Sequence, residues 1–139
     1  MPSMPPTIAV DFDGCICEFA WPKCGPPREN VCEALRRLHT EGWEIIIHTS
    51  RANFDTHLVL TRYRRCMEMV EWLGQNGIPY RKLWGKPGKP IAHFYLDDRG
   101  LLDLDDLPAD HIVLIALRRF VEVEAQYAKS LAKNRAADV

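Results

Sequence analysis

The chain has 139 residues, of which 47% are hydrophobic and 27% are charged, and its formal net charge is −1. This length predicts one domain, spanning residues 1–139, with a hydrophobic core of its own, and the composition is that of an ordinary globular protein. No apolar run is long enough to cross a membrane, and the charge excludes a strongly basic protein that binds nucleic acid non-specifically.

The N-terminal segment and the cysteines indicate where the protein works. Residues 1–6 lack the basic and apolar regions of a signal peptide, so we expect a short flexible leader. Five cysteines are an odd number, which fits reduced thiols better than a disulfide framework. A cytoplasmic location is therefore predicted.

The stretch Ile8-Ala9-Val10-Asp11-Phe12-Asp13-Gly14 is the most informative part of the sequence. Its β-favouring residues predict a strand, and residues two apart on a strand point to the same face. Asp11 and Asp13 should therefore lie side by side where Gly14 turns the chain. Two neighbouring carboxylates repel each other unless a divalent cation or a shared proton offsets their charge. This pattern therefore predicts a catalytic or metal-binding site at the end of the strand.

Hydrophobic periodicity divides the rest of the chain into alternating helices and strands. Residues 15–28, rich in proline and glycine, are predicted to form a loop. The predicted helices cover residues 29–40, 57–75 and about 111–133, and the further strands cover 43–48, 78–83 and 92–96. Alternating strands and helices with short connections predict an α/β fold, a doubly wound parallel sheet with a Rossmann-like core.

Polar residues follow two of the other predicted strands at the point where each strand ends. Thr49, Ser50 and Arg51 follow the second strand, and Asp97 and Asp98 follow the fourth. Ligands of open α/β sheets bind at the carboxyl ends of the strands. We therefore expect these groups to meet Asp11 and Asp13 at one edge of the sheet.

Together with Lys89, which lies just before the fourth strand, these three groups make four motifs that resemble those of the haloacid dehalogenase (HAD)-like phosphohydrolase superfamily. The resemblance runs from about residue 7 to residue 99, and its last part is Lys89-Pro90-Ile91-Ala92-His93-Phe94-Tyr95-Leu96-Asp97-Asp98-Arg99. The segments between the motifs hold little beyond the helices that the core requires. The chain is therefore similar to small members of the superfamily that lack a large cap domain, and the resemblance implies that residues 15–28 form a flap over the site.

The resemblance also implies roles for the residues of these motifs. Asp11 is the expected nucleophile, which forms an aspartyl-phosphate intermediate, and Asp13 is the expected general acid and base. Lys89 is the third expected catalytic residue. Thr49, Ser50 and Arg51 are expected to bind the phosphate. The expected cofactor is Mg²⁺, held by Asp11, the main-chain carbonyl of Asp13, and Asp97, with Asp98 orienting its waters.

These roles predict a phosphatase that hydrolyses phosphate monoesters, and two alternatives stay open. The first is a phosphatase acting on nucleic-acid ends, such as a 3′-phosphate. Residues 51–89 carry eight basic and three acidic side chains, and aromatic residues that can stack on bases lie among them. The second alternative is a non-catalytic protein that binds or senses a phosphorylated ligand.

The predicted C-terminal helix has more apolar side chains than one small sheet needs to cover it. Residues 112–117 are nearly all apolar, and Val121, Tyr127 and Leu131 continue the pattern. Part of this helix is therefore predicted to pack on a second copy of the chain, giving a homodimer.

Overall fold

The computed structural model describes residues 4–54, 58–97 and 103–137. Within them, a four-stranded sheet is flanked by three helices. The elements in chain order are β1 (Thr7–Asp11), α1 (Glu29–Thr40), β2 (Glu44–His48), α2 (Val59–Gln75), β3 (Lys82–Trp84), β4 (Phe94–Leu96) and α3 (Ala109–Ala137). The strand order is β3-β2-β1-β4 and every neighbouring pair is parallel. The predicted α/β sheet is confirmed, and the described residues contain no cap domain.

The two central strands, β1 and β2, are buried because the sheet is covered by helices. Ile8 pairs in register with Ile45, and Val10 pairs with Ile47. All four side chains are at most 1% exposed. A parallel strand that is buried on both faces carries an almost continuous apolar run, which is the pattern that the sequence shows here.

Helix α1 has the bounds that the sequence predicted. Its last turn is closed by two main-chain hydrogen bonds, from Trp43 N–H to the Leu38 carbonyl (2.9 Å) and from Gly42 N–H to the His39 carbonyl (3.0 Å). Gly42 has a φ of 92°, a left-handed conformation that glycine adopts without steric cost. This cap turns the chain directly into β2.

The predicted third strand over residues 78–83 is wrong in its extent, since β3 covers Lys82–Trp84 alone. The N–H of Ile78 donates to the Leu73 carbonyl (3.0 Å) and so completes the cap of α2. Pro79 then has no N–H to give to a neighbouring strand. The apolar residues at the start of this stretch therefore belong to the helix end and the connection, although their composition is strand-like.

Several other boundaries differ by a few residues from the predicted ones. Helix α3 begins two residues earlier and ends four residues later, β2 begins one residue later, and β4 begins two residues later. Helix α2 begins at Val59, and His57, where its start was predicted, lies outside the described residues. The ends of regular elements depend on capping contacts that periodicity does not reveal.

Helix α3 is attached to the sheet through a buried histidine. His93, which is 3% exposed, accepts a hydrogen bond at Nδ1 from the Thr7 N–H (3.1 Å). Its Nε2 lies 3.1 Å from Glu124 Oε1, and its ring packs 4.8 Å from that of Phe120. After Glu124 the side chains of α3 are exposed up to residue 137.

Within the described residues, no helix combines the length and the apolar character that a membrane span requires.

Candidate functional site

The carboxyl ends of β1, β2 and β4 meet at one edge of the sheet. Asp11, the last residue of β1, pairs in register with His48 of β2, and the residue before it pairs with Leu96 of β4. Thr49 and Asp97 directly follow these two partners. Strands β2 and β3 lie on one side of β1 and β4 lies on the other, so the strand order reverses beside Asp11. Open α/β sheets bind their ligands at this kind of reversal.

A tight turn after β1 orients the first of the two predicted catalytic aspartates. Asp11 Oδ1 accepts a hydrogen bond from the N–H of Phe12 (2.9 Å). The amides of residues 15–17 all donate to the carbonyl of Phe12, at 3.1 to 3.3 Å. Gly14, with a φ of 82°, permits this compact turn. Asp13 lies in this turn, two residues after the end of β1.

Asp13 forms a bidentate ion pair with Arg51, which follows β2. Nε and Nη2 of Arg51 donate to the two carboxylate oxygens of Asp13, both at 2.8 Å. The side chain of Arg51 is 0% exposed and that of Asp13 is 14% exposed. Burial alone lowers the pKa of Arg51, but its hydrogen bonds and charge interaction with Asp13 outweigh burial and raise the pKa.

This ion pair corrects the prediction that Arg51 binds substrate phosphate. The guanidinium is buried and is shared between Asp13 and main-chain carbonyls, so it presents no accessible surface to a ligand. A buried cation needs an anionic partner close by, and Asp13 supplies it.

Residues 15–28, here called the flap, form the predicted loop, and main-chain hydrogen bonds join its two arms. The Glu18 N–H donates to the Pro26 carbonyl and the Arg28 N–H to the Ile16 carbonyl, both at 2.9 Å. A methyl group added to Gly25 would come within 2.0 Å of the Glu18 carbonyl oxygen, so only glycine allows the two arms to approach this closely. The flap is therefore a structured element beside the site.

Sequence reasoning missed Trp21, which lies on the flap. The ring centre of Trp21 is 4.7 Å from Cζ of Arg51, and the side chain is 41% exposed. This distance is that of a cation–π contact. The only signal in the sequence was an aromatic residue in a segment rich in proline and glycine next to the predicted site.

Thr49 and Ser50, both predicted to bind phosphate, lie at the end of β2 with different exposure. The Thr49 hydroxyl accepts a hydrogen bond from the Arg51 N–H (3.1 Å) and its side chain is buried. Its own N–H donates to the Trp84 carbonyl of β3 (3.0 Å). Ser50 is exposed, and its carbonyl accepts from Nη1 of Arg62 (3.4 Å). The backbone turn after β2 is thus held from two sides.

Lys89 lies on an exposed segment before β4. Its Nζ is 5.2 Å from the ring centre of Tyr95, in a cation–π contact. The Tyr95 hydroxyl in turn donates to the Pro90 carbonyl (2.6 Å), which ties the segment to the strand. The catalytic role of Lys89 stays a prediction.

Two more lysines flank an aromatic ring at the same edge of the sheet. Trp84 is the last residue of β3 and pairs in register with His48. Nζ of Lys82 is 5.2 Å and Nζ of Lys86 is 5.6 Å from the centre of the Trp84 ring. This Lys82–Trp84–Lys86 group forms a cationic and aromatic surface beside the end of β2.

The described residues include three of the four predicted metal ligands, Asp11, Asp13 and Asp97. Asp11 is the last residue of β1 and Asp97 follows the adjacent strand β4, while Asp98 lies outside the described residues. Within residues 4–54, 58–97 and 103–137, no three Asp, Glu, His or Cys side chains come together as a metal site. Magnesium needs only one or two carboxylates, because waters and substrate oxygens complete its shell. Two carboxylates and a main-chain carbonyl at this edge fit that requirement.

The five cysteines are all free thiols, and four of them are buried. Burial raises the pKa of Cys17 to about 11 and raises the pKa of Cys32 to about 11 as well. These thiols are protonated at neutral pH, so they pack as apolar groups and are not nucleophiles.

No protein-family model and no curated protein matches this sequence. Two solved structures resemble the chain. A conserved protein of Bacteroides thetaiotaomicron is 27% identical, with a TM-score of 0.55, over 70% of this chain and 82% of that one. A Vibrio cholerae protein is 26% identical, with a TM-score of 0.52, over 81% of this chain and 98% of that one. Both share the fold, and neither is described by an activity.

Proposed function

We propose that the protein is a Mg²⁺-dependent phosphatase of the HAD-like superfamily, which hydrolyses a phosphate monoester through an aspartyl-phosphate intermediate. The observation that carries this proposal is the position of Asp11 at the reversal of strand order, with Asp97 and Thr49 following its neighbours in the sheet. Two carboxylates and a hydroxyl thus belong to the edge at which open α/β sheets bind ligands, which supports the proposal.

Asp11 is the nucleophile in the proposed reaction. One of its carboxylate oxygens attacks phosphorus, and the bond from phosphorus to the ester oxygen breaks. The hydrogen bond from the Phe12 N–H to Oδ1 fixes the orientation of the carboxylate before the attack. Water then attacks the phosphoryl group on Asp11, which releases inorganic phosphate and regenerates the free carboxylate.

Asp13 handles the proton in both steps. It gives a proton to the departing ester oxygen in the first step and takes one from the attacking water in the second. The turn after β1 and the ion pair with Arg51 fix the position of Asp13, two residues after Asp11. Thr49, Ser50 and Lys89 are proposed to bind the phosphate oxygens and to offset their charge.

Asp11, Asp97 and the main-chain carbonyl of Asp13 are the groups that would hold Mg²⁺, with Asp98 beyond the described residues. When bound, the metal neutralises phosphate charge that otherwise repels an anionic nucleophile. Asp11 and Asp97 supply the hard oxygen donors that Mg²⁺ prefers.

Hydrolysis of an aryl phosphate tests the proposal directly. Activity should require Mg²⁺, should fall at least about 100-fold in excess chelator, and should return when Mg²⁺ is added back. The released phosphate is measured over time at fixed substrate. Full activity in chelator would contradict the metal role. No hydrolysis of any monoester, together with stabilisation of the fold by a phosphorylated ligand, would instead favour the non-catalytic alternative.

A second candidate function is the removal of phosphate from nucleic-acid ends. The Lys82–Trp84–Lys86 group favours it, since a ring flanked by cations can stack on a base while the ammonium groups contact phosphates. The group lies beside Thr49, whose N–H donates a hydrogen bond to the Trp84 carbonyl. An oligonucleotide with its 3′-phosphate at Asp11 could extend over this surface.

Replacing Lys82 and Lys86 together with alanine separates the two candidates. We expect KM for a 3′-phosphorylated oligonucleotide to rise about tenfold, while KM for a small aryl phosphate changes less than about twofold. The advantage of the wild type for the oligonucleotide should shrink as salt is raised. The matched control replaces Lys129 and Lys133 on the exposed end of α3, which changes the net charge equally. Equal effects of both double variants would reject a nucleic-acid surface here.

We also propose that the protein works in the cytoplasm and forms a homodimer through α3. Five free thiols fit the reducing cytoplasm. Val121, Tyr127 and Leu131 of α3 are exposed apolar side chains, and a second copy of the chain is the proposed partner that covers them.

A further inference from the structure

Arg51 makes contacts to three parts of the molecule at once. Besides the ion pair with Asp13, Nη2 donates to the carbonyls of Pro22 and Lys23 in the flap, both at 3.2 Å. Nη1 donates to the carbonyl of Arg65 in α2 at 3.3 Å. These bonds satisfy a guanidinium that has no exposed surface. The position of the Asp13 carboxylate and the position of the flap are therefore set by one side chain.

We propose that Arg51 is a positioning residue, which holds the Asp13 carboxylate for proton transfer and keeps the flap closed beside it. This inference rests on the proposed phosphatase function. It assigns Arg51 a role through Asp13 rather than through the phosphate, because both carboxylate oxygens of Asp13 accept hydrogen bonds from Arg51.

The geometry explains why this position requires arginine. A bidentate pair fixes both the distance and the plane of a carboxylate, while a lysine ammonium is a single point of attachment. The guanidinium plane also stacks against Trp21, with Cζ 4.7 Å from the ring centre, and lies 5.5 Å from the ring centre of Phe12. Lysine retains the charge at this site but loses the second hydrogen bond and the planar stacking.

The proton-transfer role has a signature in the dependence on the leaving group. A poor leaving group, such as an alkyl alcohol, needs a proton from Asp13 as it departs, while a nitrophenolate needs almost none. Loss of positioning should therefore lower kcat/KM, which reports the step in which the leaving group departs, for alkyl phosphates and spare it for nitrophenyl phosphate. A residue that binds the phosphate itself would instead raise KM for every substrate by a similar factor.

The test measures kcat and KM for alkyl, phenyl and nitrophenyl phosphates with the wild type, Arg51→Lys, Asp13→Asn and the double variant. We expect Arg51→Lys to lower kcat/KM about 100-fold for the alkyl ester and less than about fivefold for the nitrophenyl ester. In the Asp13→Asn background the same change should have little further effect. A uniform rise in KM, or an equal effect of Arg51→Lys with and without Asp13, would overturn the proposal.

Limited proteolysis supplies a readout that does not depend on activity. Arg51→Lys should make the flap open more often, so cleavage after Lys23 should be faster than in the wild type, while thermal unfolding stays cooperative. Trp21→Leu removes the stacking alone and should give a smaller increase of the same kind. Unchanged cleavage in both variants would refute the coupling to the flap. A wild type without phosphatase activity would refute the proposed function itself, which is a different result from wild-type turnover with an unaltered leaving-group dependence.

Discussion

Asp11→Asn is expected to lower the rate of phosphate monoester hydrolysis by about 1000-fold or more, since an amide cannot attack phosphorus as a carboxylate does. The substitution preserves size, and the amide oxygen can still accept the hydrogen bond that the Phe12 N–H donates to Oδ1. The fold should therefore survive, and the thermal unfolding midpoint should stay within a few degrees of that of the wild type. Phosphate release and thermal unfolding are measured on the same preparations.

Asp13→Asn is the matched control, because it makes the same chemical change two residues along the chain. Nitrophenyl phosphate should still phosphorylate this variant, because its leaving group needs little protonation. Its second step lacks a base, so acid quenching should trap a phosphorylated protein. Asp11→Asn should give no such adduct. A phosphorylated Asp11→Asn protein would place the nucleophile elsewhere.

Gly85→Ala is expected to lower the free energy of unfolding by about 3 kcal/mol. A methyl group at Gly85 would lie 2.2 Å from both the carbonyl carbon and the carbonyl oxygen of Ala52, and 2.5 Å from the amide nitrogen of Asn53. All three contacts are with backbone, so no side-chain rotation relieves them. The connection after β3 and the turn after β2 would have to move apart.

The matched control, Gly74→Ala, should have the opposite sign. Gly74 lies in α2, and a methyl group added there meets no atom within 4 Å. Alanine reduces the entropy lost on forming the helix and should stabilise the protein by about 0.5–1 kcal/mol. Urea unfolding of the two variants measures both effects. A destabilisation of the same size in both would show that loss of glycine flexibility, rather than contact at Gly85, is responsible.

The arrangement of strands and helices could be read from the sequence because it depends on local patterns. Apolar runs identified the central strands β1 and β2, and Gly42 ended α1 where a left-handed residue was needed. The position of Asp11 at the sheet edge followed from the rule that parallel strands end together. The predicted start of the third strand at Ile78 was wrong, because the N–H of Ile78 caps helix α2 instead of pairing with a strand.

The arrangement around Arg51 was decided only by the tertiary structure. An arginine that follows a strand end is read from sequence as a cation facing solvent or ligand. Its partner Asp13 lies 38 residues earlier, and the flap carbonyls that it binds lie 28 and 29 residues earlier. The sequence thus determines the sheet and the order of the motifs, since these follow from periodicity and caps within a few residues. Only the tertiary structure determines which two charged side chains form a buried ion pair, because that pairing depends on the distances that packing creates between remote segments.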